Sequence, residues 1–251
     1  MLEDGRLTQS ELGTVQGGSI SPLLANIYLH YALDLWVKQW RGHYARGDVI
    51  VVRDADDWVA GFQFRDDAVR FQRAVAQRLG QFGLKLHPDK TRLIEFGRYA
   101  WNNRRREGKD KPQTFDFLGF THCCGKTRKG KFIVLRLTSA KRLRAKLQAV
   151  KIELRRRMHH PFPQQGQYLR AVVTGHGRYF GVPNNGPRLS AFRYQVGRLW
   201  HRMLCRRSQT QRLRVSRMRR LIAHWLPISH ICHPYPNQRL IVTTQGRSCM
   251  R

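Results

Sequence analysis

Apolar positions along this chain recur with two periods, that of a helix and that of a strand. Leu24, Ile27, Tyr28, Tyr31, Leu35 and Trp36 fall at helical spacing. Ser21-Pro22 ahead of them supplies a capping hydroxyl and a proline suited to the first helical position, predicting a helix from Ser21 to about Trp40. Gly42 and Gly47 bracket a loop into four β-branched residues, Val49 to Val52, followed by Arg53-Asp54-Ala55-Asp56-Asp57 and then Trp58-Val59-Ala60-Gly61. Apolar, acidic, apolar predicts a β-hairpin with carboxylates at its turn. Arg65-Asp66-Asp67 opens a further helix, with acids where the helix dipole favours them. Ala68, Phe71, Val75, Leu79 and Phe82 give it one apolar face, and Gly83 a left-handed stop. Short strands are predicted at Leu84 to Leu86 and Arg92 to Phe96, on either side of His87-Pro88-Asp89-Lys90. Residues 98–113 are polar and charged and predict an exposed loop. Thr114 to Phe120 predicts a strand, and the basic run Lys126 to Lys131 a hairpin tip.

At Ser139 the pattern changes. Leu143, Leu147, Val150, Leu154 and Met158 mark a helix that Pro161 and Pro163 stop. A second helix runs through Leu169, Val172, Val173 and Tyr179-Phe180. A third, from Pro187, carries Phe192, Val196, Leu199, Trp200 and Met203, and a fourth, around Met218, Leu221, Ile222 and Trp225, ends at Pro227. Four amphipathic helices with short joints predict a bundle. The expected class is α+β, an antiparallel sheet with helices over residues 1–138 followed by an all-α region over 139–227. An extended, loose basic tail is expected over 228–251.

Composition narrows the function. A chain of 251 residues with 41% hydrophobic and 10% aromatic content can build a core, as one large domain or two modest ones. The 47 Lys and Arg against 16 Asp and Glu leave a net charge of +31, which implies a polyanionic partner. Nucleic acid fits best. A membrane surface fits less well, because no apolar run approaches the roughly 20 residues of a spanning helix. The first thirteen residues, MLEDGRLTQSELG, do not read as a signal peptide. Five cysteines without CxxC spacing argue against a disulfide framework or a zinc site and fit a reducing cytosol.

Three features carry candidate chemistry. Asp54, Asp56 and Asp57 crowd together in a chain poor in acids, which costs energy unless a cation offsets it. A hairpin tip between buried strands is a rigid mount for Mg²⁺, although a solvated Asp turn explains the same residues. Gln16-Gly17-Gly18 allows close backbone approach to a ligand, or is simply a glycine turn before a core helix. The helical region holds most of the arginines, interleaved with Trp, Tyr and His, a combination suited to phosphate neutralisation and base stacking. Phe192, Trp200 and Trp225 are expected in the core.

GTVQGGSISPLLANIYLHYALDLW, VVRDADDWVAGF, LGQFGLKLHPDKTRLIEFGR and TFDFLGFTH occur in that order, followed by GHGRYFGVP, SAFRYQVGRLWHRMLCRRSQ and WLPISHICHPYP. Over nearly its whole length the chain resembles the bacterial group II intron-encoded reverse transcriptase/maturase. That resemblance implies part of a right-hand polymerase palm followed by a helical thumb and maturase domain. It implies RNA-directed DNA polymerisation and assistance to intron splicing, with group II intron RNA, a DNA primer or target and dNTPs as partners, in the bacterial cytoplasm. By position, Asp56 and Asp57 match the catalytic, Mg²⁺-binding acidic pair of the Tyr-Ala-Asp-Asp motif. Gln16, Gly17 and Gly18 match the nucleotide and template pocket, and Lys90 a lysine near the incoming phosphates. The maturase segments would grip intron RNA, with Arg142, Arg144, Lys146, Arg178, Arg193, Arg198, Arg206 and Arg207 as the candidate contacts.

The chain departs from the pattern in several places. Asp54 stands where the family has Tyr, Val15 where it has Pro, and Gly177 where it has an aromatic. The resemblance implies that the family's fingers and first palm segment, with a further metal-binding Asp, are expected to be missing from this polypeptide. This polypeptide alone is therefore expected to be a truncated, polymerase-deficient maturase unless an N-terminal fragment or a homo-oligomer completes the sheet. The alternative is a non-catalytic RNA-binding splicing factor. A general basic binder without chemistry is the third reading. No nuclease-like tail follows, so DNA cleavage is not expected.

Overall fold

The computed structural model describes residues 2–3, 6–7, 20–207 and 213–235. These fall into two compact units, one ending at Leu93 and one beginning at Ile94. Among the described residues no helix is long and apolar enough to cross a membrane.

In the first unit, β1 (Leu2–Glu3) pairs antiparallel with β2 (Arg6–Leu7). Helix α1 (Ser21–Leu29) continues through a π-helical turn (His30–Asp34) into α2 (Leu35–His43). The cap is Ile20, so Ser21 is the first helical residue and not the capping one. The buried positions are Ala32, Leu33, Val37 and Trp40, whereas the predicted face is exposed at Leu24, Ile27, Tyr28, Tyr31 and Leu35. The wider π turn explains part of the difference. It adds a residue to the helical repeat and turns everything after it by about 100°.

The hairpin forms as predicted. Strand β3 (Val49–Asp54) pairs antiparallel with β4 (Asp57–Phe62), Val49 opposite Phe62 and Asp54 opposite Asp57. Helix α3 (Arg65–Gln81) buries Ala68, Phe71, Val75 and Leu79. Gly83, at φ +68°, ends it, with Gly83 N–H bonded to Gly80 O at 3.1 Å and Leu84 N–H to Leu79 O at 2.9 Å. Phe71 is the centre of this core, with ring centroids 4.9 Å from Trp40, 5.1 Å from Phe62, 5.5 Å from Trp36 and 6.0 Å from Trp58. The segments Leu84–Leu86 and Arg92–Phe96 are not strands, because neither has a ladder partner among the described residues. The first still sends Leu84 and Leu86 into the core.

The second unit begins with α4 (Ala100–Arg106), where a loop was expected. Ala100 anchors it in the interior, Asn103 donates to Glu95 Oε1 at 2.8 Å, and Arg104 donates to Asp110 O at 2.9 Å. Strands β5 (Phe115–Phe117), β6 (Phe120–Lys126) and β7 (Phe132–Thr138) form an antiparallel sheet in that order. The single strand expected over Thr114 to Phe120 is instead broken at Leu118-Gly119. Both residues have positive φ, +50° and +77°, as a two-residue hairpin requires. Lys126 to Lys131 does lie at the tip between β6 and β7.

The four predicted helices are α5 (Ala140–Arg156), α6 (Phe162–Phe180), α7 (Gly186–Cys205) and α8 (Val215–Trp225). Their core gathers Val150, Leu154, Leu169, Val173, Phe192, Val196, Trp200, Met203 and Met218. Trp200 Nε1 donates to Gln165 Oε1 at 2.8 Å, so the buried indole leaves no unpaired donor. Buried Asn185 donates to Thr138 Oγ1 and to Phe180 O, each at 2.8 Å, and accepts the Thr138 N–H at 3.0 Å. These bonds fasten the end of β7 to the joint between α6 and α7, so Ser139, the cap of α5, lies inside the second unit.

The predicted tail is only partly as expected. Residues 228–235 form neither helix nor strand, yet Cys232 N–H and His233 N–H both bond Gly181 O, at 2.8 and 3.0 Å. Residues 236–251 lie outside the described residues.

Candidate active site and nucleic-acid interface

Two residues, Ala55 and Asp56, close the β3–β4 hairpin, and Ala55 takes φ +53°. An alanine in this region costs about 1–2 kcal/mol. Arg53 helps to hold it there. Its Nη1 donates to Ala55 O at 3.0 Å and to Asn26 Oδ1 at 2.8 Å. Its Nε and Nη2 donate to Asp34 Oδ1 and Oδ2 at 2.9 and 2.7 Å. The turn is thus tied to α1 and to the last residue of the π segment. The carbonyls in that segment are met from another side, Arg78 Nε donating to Ala32 O at 3.1 Å. The Arg53 hydrogen bonds hold the Asp34 carboxyl below its usual range, and the same bonds raise the arginine.

The hairpin is fixed at its other end as well. Buried Asp67, in the first turn of α3, accepts Arg46 N–H at 2.9 Å and Gly47 N–H at 3.2 Å. Arg70 bonds its second oxygen. Burial alone would raise this carboxyl, but Arg70 and the two backbone donors outweigh it and leave the group below its usual range.

Asp54, Asp56 and Asp57 stand exposed at the tip, Asp54 directly across the ladder from Asp57. Like charges in opposed positions destabilise a hairpin, so the tip is poised to gain from a cation. The donors are all carboxylate oxygens, which fits Mg²⁺. Among the described residues no group of three or more His, Cys, Asp and Glu forms a metal cage. A Mg²⁺ ion here would take Asp56 and Asp57 and complete its shell with water and substrate phosphate, as this ion commonly does. Gln16, Gly17 and Gly18 lie outside the described residues. Lys90 is exposed on a turn in which its N–H bonds His87 O at 3.3 Å, with no contact to the carboxylates among the described residues.

The basic candidates divide. Arg142, Arg144 and Lys146 are exposed on α5, Arg178 on α6 and Arg206 at the end of α7. Arg198 lies 5.8 Å from the ring centre of Tyr194, itself 63% exposed, which presents a cation and an aromatic face together. Two of the predicted contacts turn inward. Arg193 Nε donates to Leu226 O at 2.9 Å, and Arg207 bonds Met158 O and His160 O while covering the Phe162 ring. Carbonyls released at the ends of helices attract arginines, so these two brace the bundle.

Sequence reasoning passed over a cavity of about 560 Å³ lined by Lys151, Arg155, His201, Arg202 and Arg206, with Leu199, Met203 and Cys205 between them. The available signal was a pair of cations four residues apart on α5, Lys151 and Arg155, which shares one helix face. A second pair at the same spacing, Arg202 and Arg206, lies at the C-terminal end of α7, where Arg206 is the cap.

No curated protein sequence matches the chain. Residues 3–122, which hold the Asp hairpin, α3 and the start of the three-stranded sheet, match the family described as reverse transcriptase (RNA-dependent DNA polymerase).

Proposed function

We propose that the chain serves as a group II intron-encoded reverse transcriptase/maturase, copying RNA into DNA and holding the intron RNA on its helical region. The observation that carries this reading is the Asp56-Asp57 pair, mounted on a two-residue turn that Arg53 ties to α1, inside the reverse transcriptase match. Asp56 and Asp57 would hold Mg²⁺, which when bound activates a primer 3′-hydroxyl and neutralises the leaving pyrophosphate. Arg53 keeps the turn in one conformation, Lys90 attracts the incoming phosphates, and Gln16, Gly17 and Gly18 would serve nucleotide and template binding. The exposed cations of α5, α6 and α7, with the basic cavity between α5 and α7, neutralise RNA phosphates.

One observation favours a second reading, RNA binding and splicing assistance without polymerisation. The tip carboxylates of Asp54, Asp56 and Asp57 are exposed, and among the described residues no group of three or more His, Cys, Asp and Glu side chains forms a cage.

Primer extension on an RNA template with Mg²⁺ and dNTPs, comparing the chain with the double variant Asp56→Ala, Asp57→Ala, tests the first reading. Extension lost in the variant supports it. No extension, together with tight binding of a group II intron RNA over an unstructured RNA at fixed salt, supports the second. Failure of both leaves the chain a general basic binder.

A further inference from the structure

Beside the β6–β7 tip lies a cavity of about 590 Å³, lined by Arg98, Trp101, Asn102, Lys126, Lys131 and Phe132 along with Gly130. Its size is within the roughly 300–1,000 Å³ of small-ligand pockets. Its two walls are joined. Gly97 N–H bonds Cys124 Sγ at 3.3 Å, which stitches the approach to α4 onto β6. The tip is closed by Thr127 N–H to Lys131 O at 2.8 Å, Gly130 N–H to Thr127 O at 2.9 Å and Lys131 N–H to Thr127 Oγ1 at 3.1 Å. Helix α4 is held by buried Ala100 and the Asn103–Glu95 bond, so Trp101 is presented from a fixed mount while remaining 37% exposed.

The charge is one-sided. Arg98, Lys126 and Lys131 are exposed, and among the described residues none of their charged heads has a hydrogen bond or ion pair. No carboxylate lines the cavity among the described residues. Three unpaired cations around Trp101 and Phe132 answer both parts of one ligand class. Cations neutralise phosphates, aromatic faces stack on bases, and Asn102 offers an amide to a base edge. A base held within a duplex cannot reach an aromatic wall, so the ligand must be unpaired.

We propose that this cavity is a binding site for a nucleotide of single-stranded nucleic acid, its base against Trp101 and its flanking phosphates on Arg98, Lys126 and Lys131. The site shares no residue with the Asp hairpin and does not require polymerisation, so it stands or falls independently of that activity.

The test is binding of fluorescein-labelled 12-mers of oligo(U) and oligo(dT), and of a 12-base-pair duplex, to the full chain. Trp101→Ala is expected to weaken at least one single strand about tenfold and Trp101→Phe to restore most of it, with the duplex unchanged. Replacing Arg98, Lys126 and Lys131 together by Ala should lower the slope of log affinity against log salt by about 2 for the single strand. The double variant Arg219→Ala, Arg220→Ala, which removes exposed charge elsewhere, should leave the Trp101 effect intact. Crosslinking with 4-thiouridine-containing oligo(U) should map to the peptide containing Trp101 or Phe132. Unchanged affinity for both single strands in Trp101→Ala, an equal loss on the duplex, or crosslinks confined to other segments would overturn the proposal.

Discussion

Arg53 and Asp34 meet in a bidentate pair, Nε to Oδ1 at 2.9 Å and Nη2 to Oδ2 at 2.7 Å, joining β3 to the end of the π-helical turn. The same guanidinium reaches Ala55 O, so a single side chain links the helix, the strand and the Asp-bearing turn. Lysine cannot reproduce this fork, because it offers one point charge in place of a planar set of donors. Arg53→Lys should therefore destabilise the first unit by about 1–2 kcal/mol and speed amide exchange at Ala55 and Asp56. Asp34→Asn should show the same exchange pattern with a smaller loss, since it keeps one acceptor. Exchange unchanged at the turn in both variants would show that the pair does not hold it. Because pairing with Arg53 lowers the Asp34 carboxyl, its contribution is present above the unfolded value near 3.8 and is lost as pH falls through the folded one.

Asp54 opposite Asp57 gives a second expectation. Removing a like-charge pair relieves repulsion, so Asp54→Asn should raise stability by about 0.2–1 kcal/mol without Mg²⁺. Adding Mg²⁺ should raise the melting temperature of the native chain more than that of Asp57→Asn, because an ion that binds the folded state stabilises it by mass action. Differential melting with and without the ion reads this directly. An identical Mg²⁺ response in both proteins would remove the carboxylate tip as a cation site.

Much of this arrangement was legible in the sequence wherever one period ruled a segment. Val49 to Phe62 alternates around an acidic turn, Gly83 ends α3, and the four helices after Ser139 follow their apolar repeats. The first helix was misread because its period is not constant. A π turn at His30–Asp34 shifts the phase, so Leu33 and Val37 are buried where Leu35 was expected. The carbonyl bonds of Arg193 and Arg207 were not legible either, since charge alone does not tell a phosphate contact from one to a carbonyl of the same chain. Polar composition likewise hid α4, whose anchor is the single small residue Ala100. The acidic turn of the hairpin was evident, whereas its Arg53 mount depends on a tertiary contact 19 residues away.

Two glycines of α6 should respond oppositely to alanine. A Cβ on Gly166 would lie 2.2 Å from the Trp225 ring, whereas one on Gly175 would meet nothing within 4 Å. Gly166→Ala must push α8 away and should cost about 1–3 kcal/mol. Gly175→Ala gains helix propensity in open space and should stabilise by about 0.4–1 kcal/mol. Urea unfolding of the pair measures both signs, and equal effects would mean that Trp225 does not pack on Gly166.

His176 sets the acid limit of the helical core. Its ring is buried, stacks on Phe192 with centroids 3.7 Å apart, and leaves Nε2 without a partner. Burial, aided by the Lys146 charge, disfavours the imidazolium and pushes its pKa down to about 4, from the usual 6.5. The unfolded chain takes up this proton below about pH 6.5, while the folded chain holds out to about 4. Stability should therefore fall with decreasing pH across that window, by an amount on the order of 2–3 kcal/mol from this residue. His122, also lowered by burial, acts with the same sign, so the slope should shrink but not vanish when His176 is replaced. His176→Phe keeps an aromatic ring against Phe192 and cannot take a proton. Urea midpoints at pH 7 and pH 5 should then differ clearly in the native chain and much less in the variant. Equal differences in the two proteins would assign the acid sensitivity to other groups.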